Sequence, residues 1–126
     1  MADPQKFPAH LQYTVEHEWI DGSEPVVVGI TQTAQDALGD IVYLELPAVG
    51  DDVTAGAVVG EIESTKSVSE LFSPVTGTVV GINDAAVEDP SLVNTAPYTD
   101  GWLFTVDVTE TGPLLSAEEY AAQVGE

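Results

Sequence analysis

Short apolar runs alternate with short polar turns along this chain, a pattern typical of β-strands rather than long helices. Glycine, proline, aspartate and serine cluster between the runs, where they favour turns. Strands are predicted for residues 11–15, 26–30, 41–46, 57–63, 68–72, 78–82 and 102–108. With shorter segments included, the pattern predicts about seven to nine strands in a mostly β flattened barrel or sandwich.

A small helix is predicted at residues 33–38. Thr31 and Thr33 are both candidates for its N-cap, and Gly39 follows its last apolar residue. Threonine hydroxyls accept hydrogen bonds from the first free amides of a helix, and glycine tolerates the backbone that ends one.

A second small helix is predicted at residues 116–124. Ser116 precedes it and Glu119 follows three residues later, which is the spacing of a capping box. The polar segment 83–94 is open to two interpretations, a long loop or a short helix. We expect one domain over residues 1–126, with residues 1–10 as a loose N-terminal arm.

The polar tip at residues 61–70 lies between two predicted strands and contains Lys66. The chain has two cationic side chains, both lysines, against 22 acidic ones, and the other lysine, Lys6, lies in the predicted arm. A lysine amine can form a stable amide with a carboxylic acid, which would make its flexible stem part of a longer arm. The alternative is a solubilising lysine on an exposed turn.

The formal net charge of −20 excludes generic nucleic-acid binding, which needs a basic surface. It also disfavours docking on anionic membranes. Basic protein partners would be attracted to such a surface. Adaptation to a salty interior explains the same charge, and both explanations stay open.

The chain contains no cysteine, so disulfides, thiol nucleophiles and cysteine-bound metals are excluded. The N-terminus lacks a basic segment followed by an apolar run, and no stretch has the length of a membrane span. A cytoplasmic location is the default expectation.

Residues for independent catalysis are also missing. No glycine-rich phosphate loop or serine-nucleophile context is present, and His10 and His17 are the only histidines. His17 and its neighbouring acids lack paired metal-ligand spacing, which argues against a metal site. Glu18 has two interpretations: a local hydrogen-bonded pair with His17 beside a half-buried Trp19, or an acid fixed at the edge of a cleft.

Several motifs taken together resemble known lipoyl carriers. The lipoyl-domain pattern is matched by residues 49–53 with Gly56, by residues 63–67 around Lys66 and by residues 73–77. Further motifs resemble those of the H-protein family of the glycine cleavage system. These motifs lie at residues 17–19, 29–31, 34–35, 38–40, 94–98 and 100–102. The resemblance covers about residues 13–120, and it implies a lipoyl-domain-like barrel-sandwich hybrid.

The resemblance implies that Lys66 carries lipoic acid in amide linkage, added by a lipoyl-attaching enzyme. The arm would take the aminomethyl group of glycine from the pyridoxal-phosphate-dependent glycine decarboxylase (P protein) to the tetrahydrofolate-dependent aminomethyltransferase (T protein). Dihydrolipoamide dehydrogenase (L protein) would reoxidise it. The chain would be a non-catalytic, monomeric carrier that binds neither nucleic acid nor membrane.

The resemblance also assigns site residues. The loaded arm would fold into a cleft beside Glu18 and Glu70, and Glu70 stands where the family often has aspartate. Recognition of the lysine would involve the hairpin residues Glu63, Ser64, Thr65, Ser67 and Val68.

Four other functions compete with that of a glycine-cleavage carrier. A lipoyl-relay protein that donates lipoyl groups to other enzymes is compatible with the same residues. A biotinyl-type carrier usually places its lysine between methionines, whereas Lys66 lies between Thr65 and Ser67. A lipoyl domain of a 2-oxo-acid dehydrogenase would lack the motifs near both ends. An interaction module with unmodified Lys66 would have the same composition.

Overall fold

Two antiparallel sheets make up most of the molecule. The computed structural model describes residues 7–125. Its strands are β1 (Gln12–Tyr13), β2 (Glu18–Ile20), β3 (Val26–Ile30), β4 (Ile41–Glu45), β5 (Asp52–Val53), β6 (Val58–Ser64), β7 (Val68–Phe72), β8 (Val75–Ile82) and β9 (Phe104–Thr111). Its helices are α1 (Gln32–Leu38), α2 (Asp84–Glu88), α3 (Ser91–Thr95) and α4 (Ala117–Gln123).

The larger sheet has the strand order β1-β2-β3-β9-β8-β5, and the smaller sheet has the order β4-β6-β7. Their apolar faces enclose one core, to which the larger sheet contributes Val28, Val79 and Phe104 and the smaller sheet contributes Ile62 and Leu71. The mostly β prediction is confirmed, and the sheets form a flattened sandwich rather than a closed barrel.

Both predicted small helices are present, and their caps explain where they begin. Thr31, rather than Thr33, caps α1 by accepting a hydrogen bond from the Ala34 amide, and Gly39 ends α1 with φ +80°. Ser116 and Glu119 form the expected reciprocal capping box of α4. These local bonds satisfy amides that the first turn of a helix leaves without partners.

The segment left open between loop and helix forms two single-turn helices, α2 and α3. Each buries one apolar side chain, Ala86 in α2 and Val93 in α3. Two anchors seven residues apart are too weak a pattern for sequence reasoning to separate from a loop. Packing on the core therefore decides this segment.

A second apolar cluster joins the two ends of the chain. Residues 1–6, which include most of the expected arm, lie outside the described residues. From Phe7 onward the chain is packed: Phe7 is fully buried and lies edge-on to Tyr13 and Tyr120. Because Tyr120 belongs to α4, this cluster ties the start of the described chain to its end. None of the four helices in residues 7–125 has the length and apolar content needed to cross a membrane.

Candidate functional site

The predicted tip is a tight turn between β6 and β7. The Ser64 amide donates to the Ser67 carbonyl at 2.8 Å. The Ser64 hydroxyl oxygen accepts from the amides of Lys66 at 3.2 Å and Ser67 at 3.1 Å. One serine therefore closes the turn, and Lys66 is exposed at its apex.

The turn also contacts the corner between α1 and β4. The Thr65 amide donates to the Asp40 carbonyl at 3.0 Å. The stem of Lys66 lies over Gly39, so closely that a β-carbon built on Gly39 would be 2.8 Å from Lys66 Cε. Hydrogen bonds therefore hold the turn that carries Lys66 against the body of the protein, so it is not a free loop.

The other residues predicted for recognition, Glu63 and Val68, lie on the outer face of the small sheet. Glu63 pairs with Val68 across β6 and β7 and with Tyr43 across β4 and β6. Val68 and Tyr43 are both exposed. The predicted hairpin residues therefore lie around the lysine, although their role in recognition stays a prediction.

A cleft of about 330 Å³ begins beside this turn. Its walls are the turn at residues 16–18, one side of α1, and the edge strand β7 with Ser67. Apolar side chains of Ile30, Ala34 and Leu38 line one wall. Both Glu18 and Glu70 line it, so the structure brings the two predicted acids to one cleft.

Glu18 is 2% exposed, and the Thr14 hydroxyl donates to its Oε1 at 2.7 Å. The nearby backbone N–H of Phe72 also favours the charged carboxylate. Burial nevertheless raises the pKa of Glu18 to about 8, with a smaller contribution from the negative charge of Glu16. At pH 7 the acid is therefore largely neutral until a cation approaches it.

His17 does not pair with Glu18, so that interpretation of the sequence was wrong. Its Nδ1 lies 2.6 Å from the Tyr120 hydroxyl, which in turn lies 2.8 Å from Thr31 Oγ1. Burial lowers the pKa of His17, so a neutral ring can accept from Tyr120 while Thr31 donates to Tyr120. His17 has a positive φ of 69°, a conformation that side chains rarely adopt. The network holds this bend at the mouth of the cleft.

Glu70 occupies a different position from Glu18. It is exposed, and it lies on the outer face of β7, since the buried Leu71 beside it points into the core. Register pairing places Glu45, Glu61 and Glu70 abreast across the small sheet. Glu70 is therefore a rim residue of the cleft and the end of a row of three carboxylates.

Two positions in and beside this site were missed by sequence reasoning. Thr14 is buried and bonds both the carboxyl and the amide of Glu18. Asn94 bonds the corner under Lys66. Asn94 lies in α3, and no local pattern shows these contacts, because its partners Ile41 and Gly39 are 53 and 55 positions away in the chain. Thr14 is only four residues from Glu18, but the sequence does not show that their side chains meet. No group of three or more acidic or histidine side chains in residues 7–125 could hold a metal ion.

Comparison with known proteins places this geometry in context. The profile of the family described as Glycine cleavage H-protein matches residues 11–126. A glycine cleavage system H protein of Streptomyces coelicolor is 56% identical over 121 residues, covering 94% of this chain and 97% of its own. One of Streptomyces avermitilis is 60% identical over 116 residues, covering 90% and 93%.

A solved structure agrees with the sequence matches. The crystal structure of a glycine cleavage system H protein from Mycobacterium marinum superposes with a TM-score of 0.91 at 49% identity. The alignment covers 94% of this chain and 99% of that one. The likeness therefore extends over both sheets and the hairpin that carries Lys66.

Proposed function

Since the chain belongs to the glycine cleavage H-protein family, we propose that it is the non-catalytic carrier of that system, with lipoic acid attached to Lys66. The observation that carries this proposal is the exposed Lys66 on a hydrogen-bonded turn beside a cleft that contains the buried Glu18. A rigid tip presents the amine to an attaching enzyme and to distant active sites, as a mobile loop would not.

The residues present fit a lipoyl group. When bound, a lipoyl group supplies a redox-active disulfide on a long flexible arm that can take up the aminomethyl group of glycine. The cleft next to Lys66 has an apolar wall for the hydrocarbon part of such an arm, formed by Ile30, Ala34 and Leu38. Its polar group, Glu18, suits the ammonium of the cargo.

Glu18 is proposed to hold the cationic cargo. In the empty cleft its raised pKa keeps the acid largely neutral, which avoids the cost of a buried unpaired charge. An ammonium group beside it favours the carboxylate, and Glu18 then releases its proton and forms a charge-assisted contact. The Thr14 hydroxyl keeps the carboxyl group in place through this change. Glu70 assists at the rim.

The proposed partners are the decarboxylase, the aminomethyltransferase, dihydrolipoamide dehydrogenase and a lipoyl-attaching enzyme. Residues Glu63, Ser64, Thr65, Ser67 and Val68 surround the lysine and are proposed as the surface that the attaching enzyme reads. The acidic surface with its formal charge of −20 would steer basic partner surfaces toward it.

Intact mass and peptide mapping test the proposal. The chain, produced in a host that attaches lipoate, should gain one lipoyl group on Lys66, and its formal charge should change from −20 to −21 (−20 − 1). Lys66→Arg keeps the charge but should accept no lipoyl group and support no glycine cleavage. A lipoyl group found on Lys6, or glycine cleavage by the Lys66→Arg variant, would refute the assignment.

A further inference from the structure

The side chain of Asn94 fastens the corner between α1 and β4 from three directions. Its Nδ2 donates to the Gly39 carbonyl at 2.8 Å and to Gln35 Oε1 at 2.9 Å. Its Oδ1 accepts from the Ile41 amide at 2.9 Å. Gln35 is itself buried, at 6% exposed. Asn94 therefore binds the backbone on both sides of Asp40.

Asp40 and Gly39 are the two residues of this corner that meet the lysine turn. The Asp40 carbonyl accepts the Thr65 amide at 3.0 Å. Gly39 lacks a side chain where the Lys66 stem passes, since a β-carbon there would be 2.8 Å from Lys66 Cε. We call Gly39 and Asp40 the lysine seat.

We propose that Asn94 is a positioning residue for modification of Lys66, which it serves by fixing the lysine seat. This inference rests on the proposed attachment of lipoate to Lys66. The side-chain hydrogen bonds of Asn94 reach Gln35, Gly39 and Ile41 rather than the lysine turn, so it acts through the backbone of Gly39 and Ile41. These bonds orient the Asp40 carbonyl, which lies between them in the chain, so that it accepts from the Thr65 amide.

The bonds inside the turn do not orient it relative to the molecule. Ser64 closes the turn by bonding Lys66 and Ser67, all of which move together if the tip tilts. Register pairing of Ser64 with Ile41 connects the base of the tip to β4. The bond from Thr65 to Asp40 is a further connection, made by the tip itself, to the body of the protein. The position of the acceptor, the Asp40 carbonyl, depends on the corner between α1 and β4. Asn94 is the side chain that bonds the residues on both sides of Asp40. An attaching enzyme must bring the amine within reaction distance, and small misplacements of a reacting group are costly in rate.

The test compares Asn94→Asp with the matched control Asn83→Asp. Asn83 is buried, whereas Asn94 is half-buried, and Asn83 Nδ2 donates to the carbonyls of Asp100 and Trp102, both at 2.8 Å. Each change removes two donations of similar length and keeps the side-chain shape, and thermal melts of both variants measure the general loss of stability separately. Of the two asparagine side chains, Asn94 bonds the lysine seat and Asn83 does not.

Two measurements are made on the full-length unmodified chain below the melting temperature of both variants. Amide hydrogen exchange compares Thr65 with Ser67, whose amide is bonded inside the turn. Attachment is followed by intact mass with purified lipoate–protein ligase, free lipoate and ATP. In Asn94→Asp we expect Thr65 to exchange about tenfold faster, as for a loss of about 1.4 kcal/mol, while Ser67 keeps its wild-type rate. We expect kcat/KM for attachment to fall by a similar factor, and Asn83→Asp to change neither quantity.

A second variant changes the seat and leaves the Asn94 side chain as it is. Gly39→Ala puts a β-carbon on a residue with φ +80°, 2.8 Å from Lys66 Cε, so it should distort the seat and also lower kcat/KM for attachment. Equal attachment rates in Asn94→Asp and Asn83→Asp, or unchanged Thr65 exchange in Asn94→Asp, would overturn this inference. Failure of the wild-type chain to accept lipoate on Lys66 would instead overturn the proposed function, and the exchange data would still decide whether Asn94 orders the turn.

Discussion

His17 Nδ1 lies 2.6 Å from the hydroxyl of Tyr120, a residue 103 positions further along the chain. The same hydroxyl meets Thr31, the cap of α1. A single tyrosine of the C-terminal helix therefore holds two walls of the cleft, the bend at residue 17 and the start of α1. The C-terminal helix thus supports the walls of the proposed arm-binding cleft from outside it.

The first prediction concerns this hydroxyl. Tyr120→Phe keeps the ring packing but removes the partner of His17 and Thr31, which should lower the free energy of unfolding by about 1–3 kcal/mol. Exchange of the Thr31 amide, which donates to the His17 carbonyl, should become faster. Tyr13→Phe is the control, because it removes a buried-cluster hydroxyl that donates to Pro8 instead. Equal Thr31 exchange in the two variants would count against the role of Tyr120 in the cleft.

The second prediction concerns the pH dependence of stability. The pKa of Glu18 is about 8 in the folded chain and about 4.5 in the unfolded chain. Between these values the folded state holds the extra proton, so the free energy of unfolding should fall as pH rises, by about 1.4 kcal/mol per pH unit from this group. The contribution is fully present below pH 4.5 and is lost as the pH passes 8.

Glu18→Gln should abolish this component while keeping an acceptor for Thr14. Urea unfolding at pH 5.5 and pH 7.5 (chosen inside that window, about two units apart) should show a flatter dependence for Glu18→Gln than for the wild type. Glu16→Gln removes a neighbouring exposed acid and should keep most of the wild-type slope. Parallel slopes for all three proteins would mean that Glu18 titrates normally.

The third prediction concerns the lifetime of the loaded carrier. Glu18→Ala should fold, accept lipoate and have its reduced arm reoxidised by dihydrolipoamide dehydrogenase, but its aminomethyl-loaded form should release ammonia faster without the transferase. One charge-assisted contact is worth roughly 1.5–3 kcal/mol, or about one to two decades in rate. Glu70→Ala should have a smaller effect, because Glu70 is an exposed rim residue.

Spontaneous ammonia release and thermal melting should be measured on the same loaded proteins. Unchanged release together with a lowered melting temperature would leave Glu18 with a purely structural role beside Trp19. The proposed cleft function would then be rejected even if Lys66 carries the lipoyl group.

The fourth prediction concerns partner encounter. Glu45, Glu61 and Glu70 lie abreast on the sheet that carries Lys66, an arrangement that costs stability because like charges face each other. If the acidic surface steers the decarboxylase, association should slow as salt rises. Neutralising two members of this row, with Glu45→Gln and Glu61→Gln together, should slow association at low salt.

The control for steering changes the same charge on the other sheet. Asp107→Asn with Glu110→Gln removes two exposed carboxylates of β9. Stopped-flow association rates should fall more for the small-sheet double variant than for this one. A rate that does not depend on salt would favour solubility in salt as the reason for the acidity.

Sequence alone was sufficient for features whose cause is local. Alternation of apolar and polar residues predicts β9, because side chains of a strand point to alternate faces, and a short continuous apolar run predicts the central strand β3. Ser116 and Glu119 predict the start of α4, because the capping bonds join residues three apart. The polar tip around Lys66 predicts the hairpin for the same reason, and its motifs predicted the family that the comparisons show.

Tertiary structure decided the features that depend on distant partners. Glu18 and Glu70 are both acids near a turn or strand in sequence, yet one is buried at 2% exposure and the other lies on the rim. Packing of the sheets and α1 creates that difference, and burial then raises the pKa of Glu18. From sequence, Asn94 is one polar residue in a segment that could be a loop or a helix. The fold places it beside the corner that meets Lys66, where it bonds Gly39 and Ile41. Local pattern determines which face a side chain takes, whereas its solvation and partners are determined only when remote segments pack together.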